Sequence, residues 1–155
     1  GAAAPRSEVE RVRLLQSPWS ERLAEGERLR SRRRRSDLAV IVEKPWGKVT
    51  TYALNQPSSV RMITIEPGQE TSEHYHRLRD EMWVVLDPGL VIQVGNRMAE
   101  AHPGEEFVVS AEEPHRIKNT GQARGRVLEV AYGYTTEDDT FRLQDDYGRP
   151  LEPDW

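Results

Sequence analysis

The chain has 155 residues, four histidines and no cysteine, with a net charge of −4. That length suits one domain with a single sizeable core, and the missing cysteines exclude both a disulfide framework and a thiolate metal site. No apolar run reaches the length of a membrane span and no signal-peptide pattern is present, so the sequence reads as soluble and cytoplasmic. In chain order, a basic arm comes first: eleven Lys/Arg face seven Asp/Glu up to Gly47, against eleven facing nineteen in the remainder. After a frayed start at Gly1 to Pro5, Ser7 with Glu10 resembles a capping box, and Val9, Val12 and Leu15 form a helical stripe ending by Ser17-Pro18. Ser20 to about Arg34 reads as a second helix, weakened at Gly26. The arginine run Arg32 to Arg35 has no interleaved aromatics, which disfavours nucleic acid as a partner. A solvated helix end, or an arm lying on an acidic neighbouring subunit, suits it better. Residues 1–36 are thus expected to be a helical, basic extension, and residues 37–155 a separate β domain.

From Asp37 the pattern turns to short β-type runs: Leu38–Val42, Lys48–Leu54, Val60–Ile65, Thr71–His76, Met82–Leu86, Leu90–Val94, Phe107–Val109, Arg116–Lys118 and Arg126–Tyr134. Turn residues such as Pro67-Gly68, Asp87-Pro88-Gly89, Gly95-Asn96 and Pro103-Gly104 punctuate them. Roughly ten short strands at this spacing predict an antiparallel sandwich or barrel, and no helical run separates them as βαβ units require. Trp46 and Tyr52 are expected in the barrel mouth or a dimer contact. Phe141, Leu143 and Tyr147 are expected to pin an acidic tail against the barrel.

One stretch carries the chemistry. His74 and His76 lie two apart, so on a strand both imidazoles leave by one face. Glu81 opens the next strand, and His115 follows Pro114 far along the chain. Two histidines alone are an ordinary polar strand face. With Glu81 and His115 they make a ligand set for a borderline divalent ion. His102, beside Pro103 in a turn, is expected at the surface.

With Gly68, His74, His76, Glu81 and Gly89 in view, the stretch resembles the first signature of the cupin superfamily. Gly104, His115 and Asn119 resemble the second, although Ser110 and Glu112 stand where that signature has proline and glycine. Lys44-Pro45-Trp46-Gly47, Arg77, Trp83-Val84-Val85, Pro114-His115-Arg116, Leu128-Glu129-Val130 and the tail from Glu137 to Arg149 are similar to the cupin domain of type II phosphomannose isomerases, including those fused to mannose-1-phosphate guanylyltransferases. One departure is that two extra residues separate His76 from Glu81. The resemblance covers about Lys44 to Arg149. It implies a cupin double-stranded β-helix, a jelly-roll barrel, with the helical extension in front.

The resemblance also implies a metal-dependent sugar-phosphate isomerase that interconverts an aldose and a ketose. His74, His76, Glu81 and His115 would hold one divalent ion, zinc first, with manganese, iron or nickel accepted by the same donors. Proton movement between C1 and C2 needs a base, for which Glu129 is the candidate; its other reading is an outward-facing surface acid. A sugar phosphate also needs a cationic clamp. Arg61, Arg77, Arg79 and Arg142 are the candidates, and Arg142 is assigned with Glu129 to the catalytic set. Trp83 stacks on a sugar ring or belongs to the core. Two other classes accept the same ligands: a metal-dependent cupin dioxygenase, and a non-catalytic sugar-binding module. Pairing of barrel edges in the resembling families implies a homodimer.

Overall fold

Side-chain alternation along short runs, broken by Gly and Pro turns, folds into an almost wholly β structure. The computed structural model describes residues 35–152, so both expected N-terminal helices lie outside the described residues. A single helical turn, α1 (Arg35–Leu38), leads into β1 (Val40–Lys44) and β2 (Gly47–Thr51). Then follow β3 (Ser59–Ile65), β4 (Glu73–Tyr75), β5 (Arg79–Val85), β6 (Leu90–Val94) and β7 (Arg97–Ala101). The chain continues through β8 (Glu106–Val109), β9 (His115–Asn119), β10 (Gly125–Gly133), a 3-10 turn at Glu137–Asp139 and β11 (Phe141–Gln144).

The strands form a separate β1–β2 hairpin and two open sheets, ordered β3-β10-β5-β8 and β11-β4-β9-β6-β7. The pairing is antiparallel throughout. The two larger sheets share one core, in which Trp83, Val85 and Val127 of the first meet Leu90, Ile92 and Ile117 of the second. That is the cupin jelly roll in its open, sandwich form. Strand β5 is buried on both faces because Met82 packs outward with Leu38, Ala39, Val130 and Tyr132 in a second cluster. Its inner face is then left to Arg79, Glu81, Trp83 and Val85. No helix among the described residues is long and apolar enough to cross a membrane.

Several features differ from what the residue pattern predicts, each with a local cause. Leu38 belongs to α1 and the first strand starts at Val40, because Leu38 buries itself in the second cluster. Strand β7 has no β-type sequence: Arg97-Met-Ala-Glu-Ala favours helix, but the two-residue turn at Gly95-Asn96, with Gly95 at φ +61°, folds it back onto β6. Strand β11 comes from the acidic tail, where Phe141 stacks on Tyr75 at 5.2 Å. Tyr147 ties the tail down through its hydroxyl, which donates to the Glu70 carbonyl (2.9 Å), whereas Leu143 is exposed. Trp46 does not fill the barrel mouth; it stands at the β1–β2 turn, 74% exposed. Tyr52 packs against the second cluster.

Candidate metal centre

Strand register brings the histidines together. His74 on β4 pairs directly with His115 on β9, and His76 follows β4 by one residue. The three rings face one another at centroid separations of 4.5 to 5.0 Å, and their ligand nitrogens all lie within 4.8 Å of one another. Each Nδ1 sits against a backbone carbonyl: Ser72 for His74 (3.0 Å), Asp139 for His76 (2.7 Å) and Glu113 for His115 (2.9 Å). A carbonyl oxygen only accepts, so Nδ1 of His76 and of His115 carries the proton and Nε2 of each keeps its lone pair, while His74 Nδ1 also meets the Ser72 hydroxyl at 2.8 Å. Backing of this kind fixes tautomer and ring orientation for metal ligation.

Electrostatics points the same way. Burial, then the neighbouring charges of His115 and Arg142, lowers the His74 pKa to about 3. Burial and then Arg79 lower His76 to about 2, and burial lowers His115 to about 4. All three rings are neutral at pH 7, the form that binds a cation. The donor set, the fixed tautomers and the mutual spacing fit one divalent ion.

Glu81 is placed differently. It is fully buried, and its oxygens are 3.5 Å from His76 Nε2 and 3.9 Å from His115 Nε2. Both are engaged: Arg79 Nε donates to Oε1 (2.7 Å) and Trp83 Nε1 donates to Oε2 (2.8 Å). Arg79 Nη2 also donates to His76 Nε2 at 2.9 Å.

The histidines line a cavity of about 730 Å³ that also contains Arg61, Arg79, Trp83, Glu129 and Arg142. Glu129 points inward from β10 with 2% exposure, so it is not a surface acid. Arg61, its cross-strand partner on β3, donates Nε and Nη2 to one carboxylate oxygen at 2.9 and 2.8 Å. Burial, and then the Glu81 charge, raises the Glu129 pKa, with Arg61 acting against them. Arg142 Nε is buried without a hydrogen-bond partner. Trp83 is 2% exposed, with its ring edge on His115 at 5.3 Å, so it is core and wall together. Arg77 stands apart: exposed, it does not line the cavity, and its guanidinium lies over the Phe141 ring at 4.5 Å. His102 is exposed.

Some contributors left no mark in the residue spacing. The carbonyls of Ser72, Glu113 and Asp139 belong to the backbone, which any residue supplies. Asp139 does more, since its carboxylate accepts from Arg77 N (3.0 Å) and Leu78 N (2.9 Å) and so fixes the turn after His76. Its only sequence signal was the acidic tail noted above. Glu112 holds φ at +69°, the left-handed region that glycine would adopt freely, and its N–H donates to the His76 carbonyl at 2.6 Å. The turn before β9 therefore keeps a glycine-like shape without glycine.

The model of the family described as mannose-6-phosphate isomerase C-terminal matches residues 31–145. The xanthan biosynthesis protein XanB of Xanthomonas campestris pv. campestris (strain B100) is 31% identical over 109 residues, covering 70% of this chain and 23% of that protein. A mannose-1-phosphate guanylyltransferase of Klebsiella pneumoniae is 33% identical over 110 residues, with the same two coverages of 70% and 23%. The chain therefore spans less than a quarter of the length of these curated relatives. Among solved structures, the capsular polysaccharide assembling protein CapF of Staphylococcus aureus aligns with a TM-score of 0.51 at 17% identity, over 69% of this chain and 33% of that one. At that identity the likeness speaks for the fold alone. With the family match running through both sheets and every histidine of the centre, this chain belongs to the mannose-6-phosphate isomerase C-terminal family, a cupin fold with a three-histidine cluster able to hold a metal ion.

Proposed function

We propose that the chain is a metal-dependent sugar-phosphate isomerase, interconverting mannose 6-phosphate and fructose 6-phosphate. The observation that carries this reading is three neutral imidazoles converging in one cavity beside a buried carboxylate, Glu129, whose pKa is raised. His74, His76 and His115 hold a divalent ion, zinc by preference, which when bound supplies Lewis-acid polarisation of the sugar's carbonyl oxygen. Glu129 takes the proton from one of the two adjacent carbons and returns it to the other, while the hydroxyl proton on the one carbon's oxygen passes to the former carbonyl oxygen on the other. Arg61 keeps that carboxylate in place and available as the anion. Arg142 offers an unused donor to the substrate phosphate, in the manner of cationic clamps at phosphate sites. Trp83 and the apolar core behind it exclude water from the enediolate, which would otherwise scatter its proton. The test is an NMR assay on fully metallated protein. Interconversion of the two hexose phosphates is the expected result; silence on these and related sugar phosphates overturns the reading.

A homodimer belongs to the same proposal. Val40, Ile41, Val42, Trp46 and Val49 of the β1–β2 hairpin are exposed, as are Val60 and Met62 on the edge strand β3. So much exposed apolar surface, part of it on an open sheet edge, is what a second copy would cover. Light scattering should give twice the chain mass, and a monomer at working concentration removes the proposal.

A further inference from the structure

Strand alternation puts Arg79, Glu81 and Trp83 on the inner face of β5, and their contacts define a second system beside the histidines. Arg79 is 4% exposed and makes two directed bonds. Its Nε holds Glu81 Oε1 at 2.7 Å, and its Nη2 holds the His76 Nε2 lone pair at 2.9 Å. Trp83 occupies the other Glu81 oxygen at 2.8 Å. A lone pair that accepts a hydrogen bond from a guanidinium is not at the same time free for a cation. A carboxylate with a strong donor on each oxygen has little reason to turn toward one. Two of the four side chains with ligand chemistry at this centre are therefore already engaged, both by way of Arg79. The positive guanidinium also repels a divalent ion.

We propose that Arg79 is an internal cation that competes with the divalent ion for His76 and holds Glu81 out of the ion's ligand set. The centre is then a three-histidine site of moderated affinity, and Glu81 acts as a positioning residue through Arg79 and Trp83. This rests on the metal-centre reading above but not on the isomerase activity. For His76 to hold an ion Arg79 would have to leave its Nε2, while the Glu81–Trp83 bond could stay in place.

The experiment is a competition titration with Zn²⁺ or Co²⁺ alone against a chelating dye, on the full chain and its variants. Arg79→Gln is expected to tighten binding at least about tenfold, the scale on which outer partners move metal affinity. The visible spectrum of bound Co²⁺ should change as the released carboxylate joins. Adding Glu81→Gln to Arg79→Gln should remove most of that gain, whereas Glu81→Gln by itself should cost less than about a hundredfold, within the range of an outer partner. A loss of more than about a hundredfold in Glu81→Gln, beyond what an outer partner is worth, would make Glu81 a ligand and overturn the inference. So would an Arg79→Gln variant that folds and binds no tighter than the parent. If Arg79→Gln does not fold, the single Glu81→Gln measurement still decides. Metal uptake by the parent chain with no response to Arg79 sinks this inference alone. No uptake by parent or variants removes the metal centre itself.

Discussion

Changing His115 to glutamine is expected to cut affinity for a divalent ion by more than about a hundredfold, since outer partners alone are worth about ten- to a hundredfold. Isomerase turnover should go with it. His115 is 2% exposed, so alanine would add a cavity and confuse loss of the ion with loss of fold; glutamine keeps most of the volume. Elemental analysis of protein purified without added metal, together with a dye competition, provides the measurement. Wild-type metal content and affinity in the variant would mean the three imidazoles are only a polar cluster. The pH dependence has a definite sign. Because folded-state values lie at about 3, about 2 and about 4 for His74, His76 and His115, protons do not compete for these nitrogens until the pH falls far below that of an ordinary histidine. Metal affinity should therefore be nearly flat from pH 7 to pH 5, where an exposed histidine cluster would lose it steeply. The same depression acts on stability. Below the unfolded value the open chain takes up protons at these positions and the folded chain does not, so their contribution weakens the metal-free fold as pH falls toward the folded values.

Changing Glu129 to glutamine is expected to lower kcat by about 10²- to 10⁴-fold, the usual worth of a positioned proton-transfer group, with metal content unchanged. That split separates the base from the metal ligands, whose loss removes both. As the proposed base Glu129 would act as the anion, and burial raises its pKa, so activity should fall on the acid side at a pH above that of an ordinary glutamate. Arg61 favours the anion through the bonds at 2.9 and 2.8 Å. Replacing Arg61 with glutamine should move the acid limb to higher pH. A Glu129→Gln variant with kcat near the parent's would hand the proton transfer to another group.

Legibility followed the physics of each feature. His74 and His76 were readable because alternation on a strand is a local rule, and Glu129 was flagged as a late-strand acid whose direction alone was open. Register settled that direction: Glu129 lies opposite Trp83 and Arg61, both of which face the interior. Strand β7 was not readable, since helix-forming residues became a strand only through pairing with β6. Arg79 is the clearest case. Among the candidates for a phosphate clamp nothing local distinguished it from Arg77, two residues away. One is sealed in the core against Glu81 and His76, and the other lies exposed over Phe141.

By itself the sequence determined the β architecture, the family and the histidines of the centre, because periodicity, turn chemistry and motif spacing are written in the order of residues. Only the tertiary structure decided what each of those side chains is free to do. Whether a carboxylate meets a cation from its own chain or an incoming ion depends on which strands lie side by side, and the pairing of β4 with β9 and of β5 with β10 joins residues tens of positions apart.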